Sequence, residues 1–333
     1  MGLLSAMIKM PFNNKFLFKL FYKLSMGVNK FMKTKKEQSV DINPILEQNN
    51  NLTLVETGFF RNKKTISLVE DKNGERFILK TGGIEPRQVE LMQTAKEMGS
   101  KLCFKVPGII KKGAGWILME EISGKFLNDY YDCQSNRAVE ISKKISDDYQ
   151  KVLAEFLKGE SAGNLLEDGK KWLFSRLCMW SGPIIEEGFI DFQQVEKLEK
   201  EFETVIKQKG EKFFGWFHGN IIGDHVKIAN DGSFYLLDLH IVPRAGRNYY
   251  DFLRALDFMF LKSTDNQGVF EAIPKWIKQY LPNEDWEEIK LIFAFRNIGI
   301  LGWDTLFHKA EYVRGNMEEK KQLMLKFIKR EYQ

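Results

Sequence analysis

The residues with the clearest capacity for chemistry in this chain lie in one stretch, residues 217–240. It reads FHGNIIGDHVKIANDGSFYLLDLH and places polar groups at the ends of two apolar segments. Asn-Asp-Gly at 230–232 indicates a tight turn between two short strands. Such a turn would gather side chains suited to a metal or phosphate site. The candidates are His218, Asn220, His225 and Asp238.

This stretch resembles the catalytic loop and metal-binding strand of the aminoglycoside phosphotransferase and choline kinase-like family. That family shows His-Gly-Asp-x-x-x-x-Asn, followed by an apolar strand that ends in Asp. His218 and Gly219 match directly, and Asp238 matches one metal ligand. Asn220 stands at the position of the catalytic Asp, and His225 stands at that of a metal-ligating Asn. The resemblance implies ATP and Mg²⁺ as cofactors, with Asp238 and His225 binding the metal and His218 and Asn220 in catalytic positions.

Two departures from the family pattern bear on the chemistry. Asn220 cannot accept a proton from a hydroxyl, and general-base help contributes roughly 10²–10⁴-fold to such reactions. Asn220 could still orient the acceptor, and Asp224 is the carboxylate nearby in sequence that could act as the base. His225 offers nitrogen, a poorer match to a hard cation than oxygen, although it could bind through water or contact phosphate.

A second candidate group surrounds Lys80, which closes the apolar strand Phe-Ile-Leu-Lys. In the family such a lysine clamps the α- and β-phosphates of the nucleotide. A carboxylate is needed to hold its charge in place. The helix predicted over 86–99, with Pro near its start and Gly at its end, offers Glu90, and Glu85 is the alternative.

Other nucleotide contacts follow from the strand pattern. Strands are predicted over 52–56, 65–70 and 75–80, with a hairpin turn at 71–74. The resemblance implies that the loop between the first two covers the phosphates, through Gly58 and Arg61. Its single glycine also fits an exposed basic hairpin tip. Further strands are predicted at 106–110 and 115–120, and the residues after the second resemble the hinge that grips adenine. The hinge residues are Glu120 and Ile122.

Asp251, in the sequence Tyr-Tyr-Asp-Phe-Leu, has two interpretations. The resemblance implies that it braces the catalytic loop, because a carboxylate accepting backbone N–H groups is a strong local clamp. It could equally be a plain helix N-cap.

The predicted fold class is α+β, a bilobal protein kinase-like fold. It has a small antiparallel β-sheet N-lobe with one helix and a larger, mainly helical C-lobe. We expect a basic amphipathic segment over 1–40, a nucleotide-binding N-lobe over 41–122 and a helical C-lobe over 123–333 containing the catalytic loop. Within the C-lobe, helices are predicted over 138–157, 165–180 and 195–207.

Composition limits the alternatives. A chain of 333 residues is long enough for two lobes, and 44% hydrophobic with 29% charged residues is typical of a soluble globular protein. Three cysteines without a C-x-x-C pair argue against a disulfide scaffold and favour a reducing compartment. The sequence contains no run of 18 apolar residues, so no transmembrane helix is predicted.

The net charge of +5 is concentrated at the N-terminus. Residues 1–36 hold eight lysines and no acidic residue, so the remainder is near neutral and no nucleic-acid partner is expected. This segment fits an amphipathic helix on an anionic membrane surface, or a helix packed on the domain with a solvated lysine face. The predicted location is cytoplasmic, with attachment at the inner face of the membrane left open.

Three functions are compatible with these patterns. The first is an ATP-dependent phosphotransferase that moves the γ-phosphate to a hydroxyl of a small metabolite. The second is a pseudokinase of the same fold that binds nucleotide or a partner without turnover. The third is a different α+β protein in which the motifs coincide by chance.

Overall fold

The structure is a computed structural model. It describes residues 42–49, 52–60, 64–82, 84, 86–133, 135–158, 164–307 and 315–332. The predicted basic segment over 1–40 lies outside these residues, as do Arg61 and Glu85. Two compact units divide the described chain, a smaller one from 42–126 with 225–240 and a larger one from 127–224 with 241–332. The sequence-based domains placed 217–240 wholly in the C-lobe, whereas 225–240 belongs to the smaller unit.

The smaller unit contains a five-stranded antiparallel sheet in the order β1-β2-β3-β6-β5. Its strands are β1 (Leu52–Phe60), β2 (Lys64–Asp71), β3 (Arg76–Thr81), β5 (Ile109–Gly113) and β6 (Trp116–Glu120). One face packs a core that includes Val69, Phe77, Leu79 and Leu118, with Ile42 preceding the short helix α1 (Asn43–Gln48). Because strand side chains alternate between faces, Lys80 lies on the face opposite Leu79.

Two further elements complete this unit. Helix α2 (Pro86–Met98) follows β3, and a four-stranded sheet has the order β4-β10-β9-β7. The strands of this sheet are β4 (Phe104–Lys105), β7 (Gly124–Phe126), β9 (Val226–Ala229) and β10 (Phe234–Leu236). The hairpin of β9 and β10 therefore holds the segment that ends in Asp238.

The larger unit is mainly helical. Its helices are α3 (Ser135–Phe156), α4 (Leu165–Glu186), α5 (Phe192–Lys209), α6 (Tyr250–Lys262), α7 (Asn266–Tyr280), α8 (Trp286–Phe307) and α9 (Met317–Lys329). A two-stranded antiparallel ribbon, β8 (Phe214–Phe217) with β11 (Val242–Ala245), leads into and out of the predicted catalytic segment. The described helices include no candidate for a membrane span.

Local turn chemistry accounts for much of the agreement with the sequence. At the predicted 71–74 turn the Asp71 carboxylate accepts the N–H groups of Asn73 and Glu75, at 2.8 and 2.9 Å, and Gly74 has a φ of +82°. The strand predicted at 106–110 is wrong in extent, because 104–105 and 109–113 pair with different sheets. Ile221 and Ile222, between the two apolar ends of the predicted catalytic stretch, lie in irregular backbone before the 3₁₀ turn Gly223–His225.

Candidate functional site

Lys80 is held in the middle of the smaller unit's main sheet. Its backbone lies between Ile66 of β2 and Ile117 of β6, and the residue is 4% exposed. An ammonium in such surroundings needs an anionic partner to offset the loss of water. Its Nζ donates to the carboxylate of Asp238, which lies 158 residues away in the chain. The sequence-predicted Lys80 and Asp238 are therefore in direct contact.

The Asp238 carboxylate is the centre of a cluster of nitrogen donors. Oδ1 accepts from Lys80 Nζ and from Gln88 Nε2. Oδ2 lies 2.7 Å from Nε2 of His240, two residues further along the chain. We call these four residues the Asp238 cluster.

The helix residue in this cluster is an amide rather than the expected acid. Gln88 is buried and lies on the inward face of α2 with Leu91, Met92 and Ala95, at helical spacing. Glu90 is two positions away, on the exposed side. The predicted pairing of Lys80 with Glu90 is therefore wrong, and Asp238 is the carboxylate that Lys80 contacts.

Electrostatics keep Asp238 ionised. Burial alone would raise its pKa, but the hydrogen bond from His240 and the charge of Lys80 outweigh burial. Together they hold the pKa of Asp238 well below its usual range. The cluster therefore carries an ionised carboxylate at neutral pH, in contact with the Lys80 side chain.

The carboxylate of Asp238 is the candidate ligand for Mg²⁺. Oδ1 accepts hydrogen bonds from Lys80 and Gln88, and Oδ2 lies beside His240. Within the described residues no group of three or more His, Cys, Asp or Glu side chains is arranged to hold a metal alone. Mg²⁺ is commonly bound through one or two carboxylates together with substrate phosphates. Asp238 fits a magnesium ion held jointly with a nucleotide rather than one held by protein alone.

His225, the other predicted metal ligand, lies at the start of β9. Its carbonyl accepts the N–H of Leu237 at 2.9 Å, which places its backbone beside the residue preceding Asp238. The two predicted ligands are thus on adjacent strand ends of one sheet. Metal binding by His225 stays a prediction.

The segment His218–Asn220 belongs to the larger unit and follows β8. The N–H groups of His218 and Gly219 donate to the two oxygens of Asp251, at 3.0 and 2.7 Å. Asp251 is fully buried in the first turn of α6, whose N-cap is Tyr249. Asp251 therefore braces the loop, and the plain N-cap interpretation is wrong.

The loop geometry demands glycine at position 219. Its φ is +77°, and an added Cβ would lie 2.6 Å from Val242 Cγ2. Burial raises the pKa of Asp251 to about 6, although the two backbone N–H groups and nearby arginines favour the ionised form. The imidazole of His218 is buried and meets the ring of Tyr149 edge-on, with centroids 5.1 Å apart.

Asn220 is held by a guanidinium. Arg254 Nε, on α6, donates to Asn220 Oδ1 at 3.1 Å. Asp224, the predicted substitute base, accepts from Asn128 and lies 3.9 Å from Lys262 Nζ. These contacts tie Asp224 to neighbouring elements of the larger unit, and its role as a base stays a prediction.

The structure places three of the residues predicted to contact the nucleotide: Glu120, Ile122 and Gly58. Glu120 ends β6 and accepts the Gly108 N–H at 3.0 Å. The carbonyl of Ile122 accepts from Lys227 Nζ at 2.5 Å. Gly58 lies within β1 and pairs with Ile66, so it is part of a strand rather than of an open loop.

Three contact residues escaped the sequence interpretation. Gln88 could have been found from the apolar spacing of α2, which turns it inward. His240 follows Asp238 by two residues, and this spacing returns its side chain to the same side of an extended chain. Arg254, one turn after Asp251 on α6, carried no motif, and its contact with Asn220 depends on tertiary packing.

The fold of the chain is similar to that of known structures, although its sequence matches no described family. Neither a protein-family model nor a curated protein matches the sequence. An amicoumacin kinase, determined with AMP-PNP and Ca²⁺, is similar in structure, with a TM-score of 0.53 and 11% identity, over 90% of this chain and 96% of that one. An aminoglycoside phosphotransferase from Alicyclobacillus acidocaldarius has a TM-score of 0.52 and 15% identity, over 90% of this chain and 98% of that one.

These similarities agree with the element order described above, an antiparallel sheet with one long helix followed by a mainly helical part. The predicted fold class is confirmed. The chain has the protein kinase-like fold found in the aminoglycoside phosphotransferase and choline kinase-like family.

Proposed function

We propose that this protein is an ATP-dependent phosphotransferase that acts on a hydroxyl group of a small molecule. The observation that carries the proposal is the buried contact between Lys80 and an ionised Asp238. The sequence pattern predicts that Lys80 binds phosphate and that Asp238 binds metal. The names of the two similar structures, a kinase and a phosphotransferase, support the same reaction class.

In this proposal the Asp238 cluster binds the donor. The Lys80 ammonium contacts phosphate oxygens of ATP, and the backbone at Glu120 and Ile122 contacts the adenine. Asp238 would hold Mg²⁺, and the ion would neutralise phosphate charge. His225 is proposed to contact this ion through water or to contact phosphate directly.

The His218–Asn220 loop positions the acceptor. The acceptor oxygen forms a bond to the γ-phosphorus while the bond to the β,γ-bridging oxygen breaks, giving ADP and a phosphate monoester. The hydroxyl proton passes to solvent, because Asn220 orients the hydroxyl but accepts no proton. Catalysis then rests on positioning and charge stabilisation, which dominate phosphoryl transfer.

A second candidate function is binding of nucleotide or a partner without turnover. Two observations favour it. Asn220 stands at the base position and is bound to Arg254, and Asp238 is already satisfied by Lys80, Gln88 and His240. An assay for turnover separates the two candidates.

The deciding experiment is a transfer assay with γ-³²P-labelled ATP, Mg²⁺ and a panel of hydroxyl-bearing metabolites. We expect labelled product with the wild type and a loss of at least 100-fold in rate for Asp238→Ala, since the metal-binding carboxylate is removed. Asn220→Asp should raise the rate at least tenfold, because the new carboxylate can accept the hydroxyl proton. We expect the gain to stay below the roughly 10²–10⁴-fold that a general base usually contributes, because Arg254 lowers the basicity of the new carboxylate. No product from the wild type or Asn220→Asp, with ATP binding intact, would favour the second candidate.

A further inference from the structure

Two partly exposed arginines lie beside the His218–Asn220 loop of the larger unit, here called the acceptor loop, and a third is close enough to lower the pKa of one of them. They are Arg176 on α4, Arg244 on β11 and Arg254 on α6, here named the arginine cluster. Arg254 holds the Asn220 side chain. Arg244 lies against Gly219, since a Cβ built there would be 3.2 Å from its Nη2. One guanidinium thus contacts Asn220 and a second lies beside Gly219, the preceding residue of the loop.

Stacking fixes the positions of two of these side chains. The Arg244 guanidinium carbon lies 4.5 Å from the ring centroid of Trp172. That of Arg176 lies 5.7 Å from the ring centroid of Trp180. An arginine over an indole directs its in-plane N–H groups away from the ring. Arg244 Nη1 donates to the Pro243 carbonyl at 2.7 Å and Arg176 Nη1 to Met179 Sδ at 3.8 Å, which leaves the other N–H groups of each fork for a ligand.

The acids nearest this cluster are already engaged. Asp251 accepts two backbone N–H groups, and Asp257 forms a buried ion pair with Arg296. Among the described residues, no carboxylate oxygen lies within 4.0 Å of a side-chain nitrogen of Arg176, Arg244 or Arg254 in an ion pair.

The positive charges also act on one another. Burial lowers the pKa of Arg244, and the charges of Arg176 and Arg296 lower it further, against the opposing effects of Tyr250 and Asp251. Burial likewise lowers the pKa of Arg254 to about 10, and Arg296 lowers it further, against the opposing effect of Asp257. Within the described ranges these three arginines form no ion pair, and burying an unpaired cation is costly, so an added anion would stabilise the arrangement.

We propose that the arginine cluster binds a phosphate or carboxylate group carried by the acceptor, so that the substrate is a negatively charged, hydroxyl-bearing metabolite. Guanidinium matches both groups through paired hydrogen bonds. The inference rests on the proposed function, which assigns the neighbouring Asn220 to the acceptor. The γ-phosphate of ATP is the other source of the same chemistry, and the experiment separates the two.

The first arm of the test needs no nucleotide. Inorganic phosphate is titrated into the full chain by calorimetry, at constant ionic strength in chloride. We expect one binding site per chain, with affinity at least fivefold weaker in Arg244→Gln and in Arg176→Gln. Arg137→Gln, an exposed change on α3, is the matched control and should bind like the wild type. Arg244→Lys keeps the charge and should bind phosphate more tightly than Arg244→Gln.

Absence of phosphate binding by the wild type, or equal binding by folded Arg244→Gln and Arg176→Gln, would overturn the proposal. The second arm repeats the titration with saturating ATP and Mg²⁺. Unchanged phosphate binding is expected for an acceptor site, whereas displacement by ATP would assign the arginines to the donor. Because phosphate binding is measured without turnover, failure of the proposed phosphotransferase function would be seen separately, as absence of labelled product in the transfer assay.

A third arm compares acceptors in transfer assays. Glucose is paired with glucose 6-phosphate, and glycerol with glycerate, with choline and ethanolamine as cationic alcohols. We expect the anionic member of each pair to have at least a tenfold higher kcat/KM, and Arg176→Gln to reduce that preference. A preference for choline or ethanolamine would contradict the inference.

Discussion

Asp251→Asn is expected to lower the free energy of unfolding by about 2–4 kcal/mol and phosphotransfer by at least tenfold. The carboxylate accepts from His218 N and Gly219 N through both oxygens, and it is fully buried. An amide has one acceptor oxygen, so its NH₂ group would face a backbone N–H and leave a buried donor unpaired. Urea unfolding followed by circular dichroism measures the loss of stability.

The matched control is Asp191→Asn. Asp191 also accepts a backbone N–H, from Gln194 at 2.8 Å, but it is an exposed helix N-cap, where Asn and Asp are equivalent. It should change the free energy of unfolding by less than about 0.5 kcal/mol. Similar losses of unfolding free energy in Asp251→Asn and Asp191→Asn would contradict the stabilising role assigned to the buried Asp251 carboxylate.

The pH dependence provides an independent check on Asp251. Its folded pKa of about 6 is above the unfolded value, so the folded state binds more protons between about pH 4 and pH 6. This contribution to stability is therefore present at low pH and decreases as the pH rises through that window. The stability advantage of the wild type over Asp251→Asn should narrow from pH 4 to pH 6. A widening gap would contradict the raised pKa.

Lys320→Met is expected to destabilise the larger unit by about 3–5 kcal/mol. Lys320, on α9, is fully buried, and its ammonium donates to three carbonyls at the C-terminal end of α6, those of Phe260, Leu261 and Ser263. Methionine fills a similar volume but supplies no donor, so these carbonyls lose their partner and the favourable charge at a helix C-terminus is removed.

Thermal and urea unfolding of Lys320→Met measure the effect. Lys329→Met, an exposed change in the last turn of the same helix, is the control and should stay within about 0.5 kcal/mol of the wild type. If both variants unfold like the wild type, the buried ammonium contributes little to holding α9 against α6.

Local signals in the sequence account for much of the fold. The Asp71 turn, the proline at the start of α2 and the apolar spacing of α3 and α5 each depend on neighbours a few residues away. Such features set the β-hairpins and the helices. The strand bounds within 104–113 could not be predicted from local signals. Residues 104–105 pair with β10 and residues 109–113 pair with β6, and pairing with strands distant in sequence leaves little local trace.

Site residues that belong to a sequence motif could be predicted from the sequence. Residues that reach the site only through long-range packing could not. Lys80 and Asp238 were identified by resemblance and are in contact. The expectation of a carboxylate partner for Lys80 favours Glu90, whereas the helical spacing of the buried residues places Gln88 on the inward face. Arg254 and Arg244 contact the loop through α6 and β11, and no local pattern marks such long-range neighbours.

The central claim is that the Asp238 cluster holds nucleotide phosphates, and calorimetric titration of ATP with Mg²⁺ tests it most directly. We expect saturable binding by the wild type and at least tenfold weaker binding by Lys80→Met, because a buried charged hydrogen bond to phosphate contributes about 1.5–3 kcal/mol. Lys72→Met, at the exposed 71–74 turn, should bind like the wild type. No ATP binding by the wild type, or undiminished binding by a folded Lys80→Met, would contradict the account.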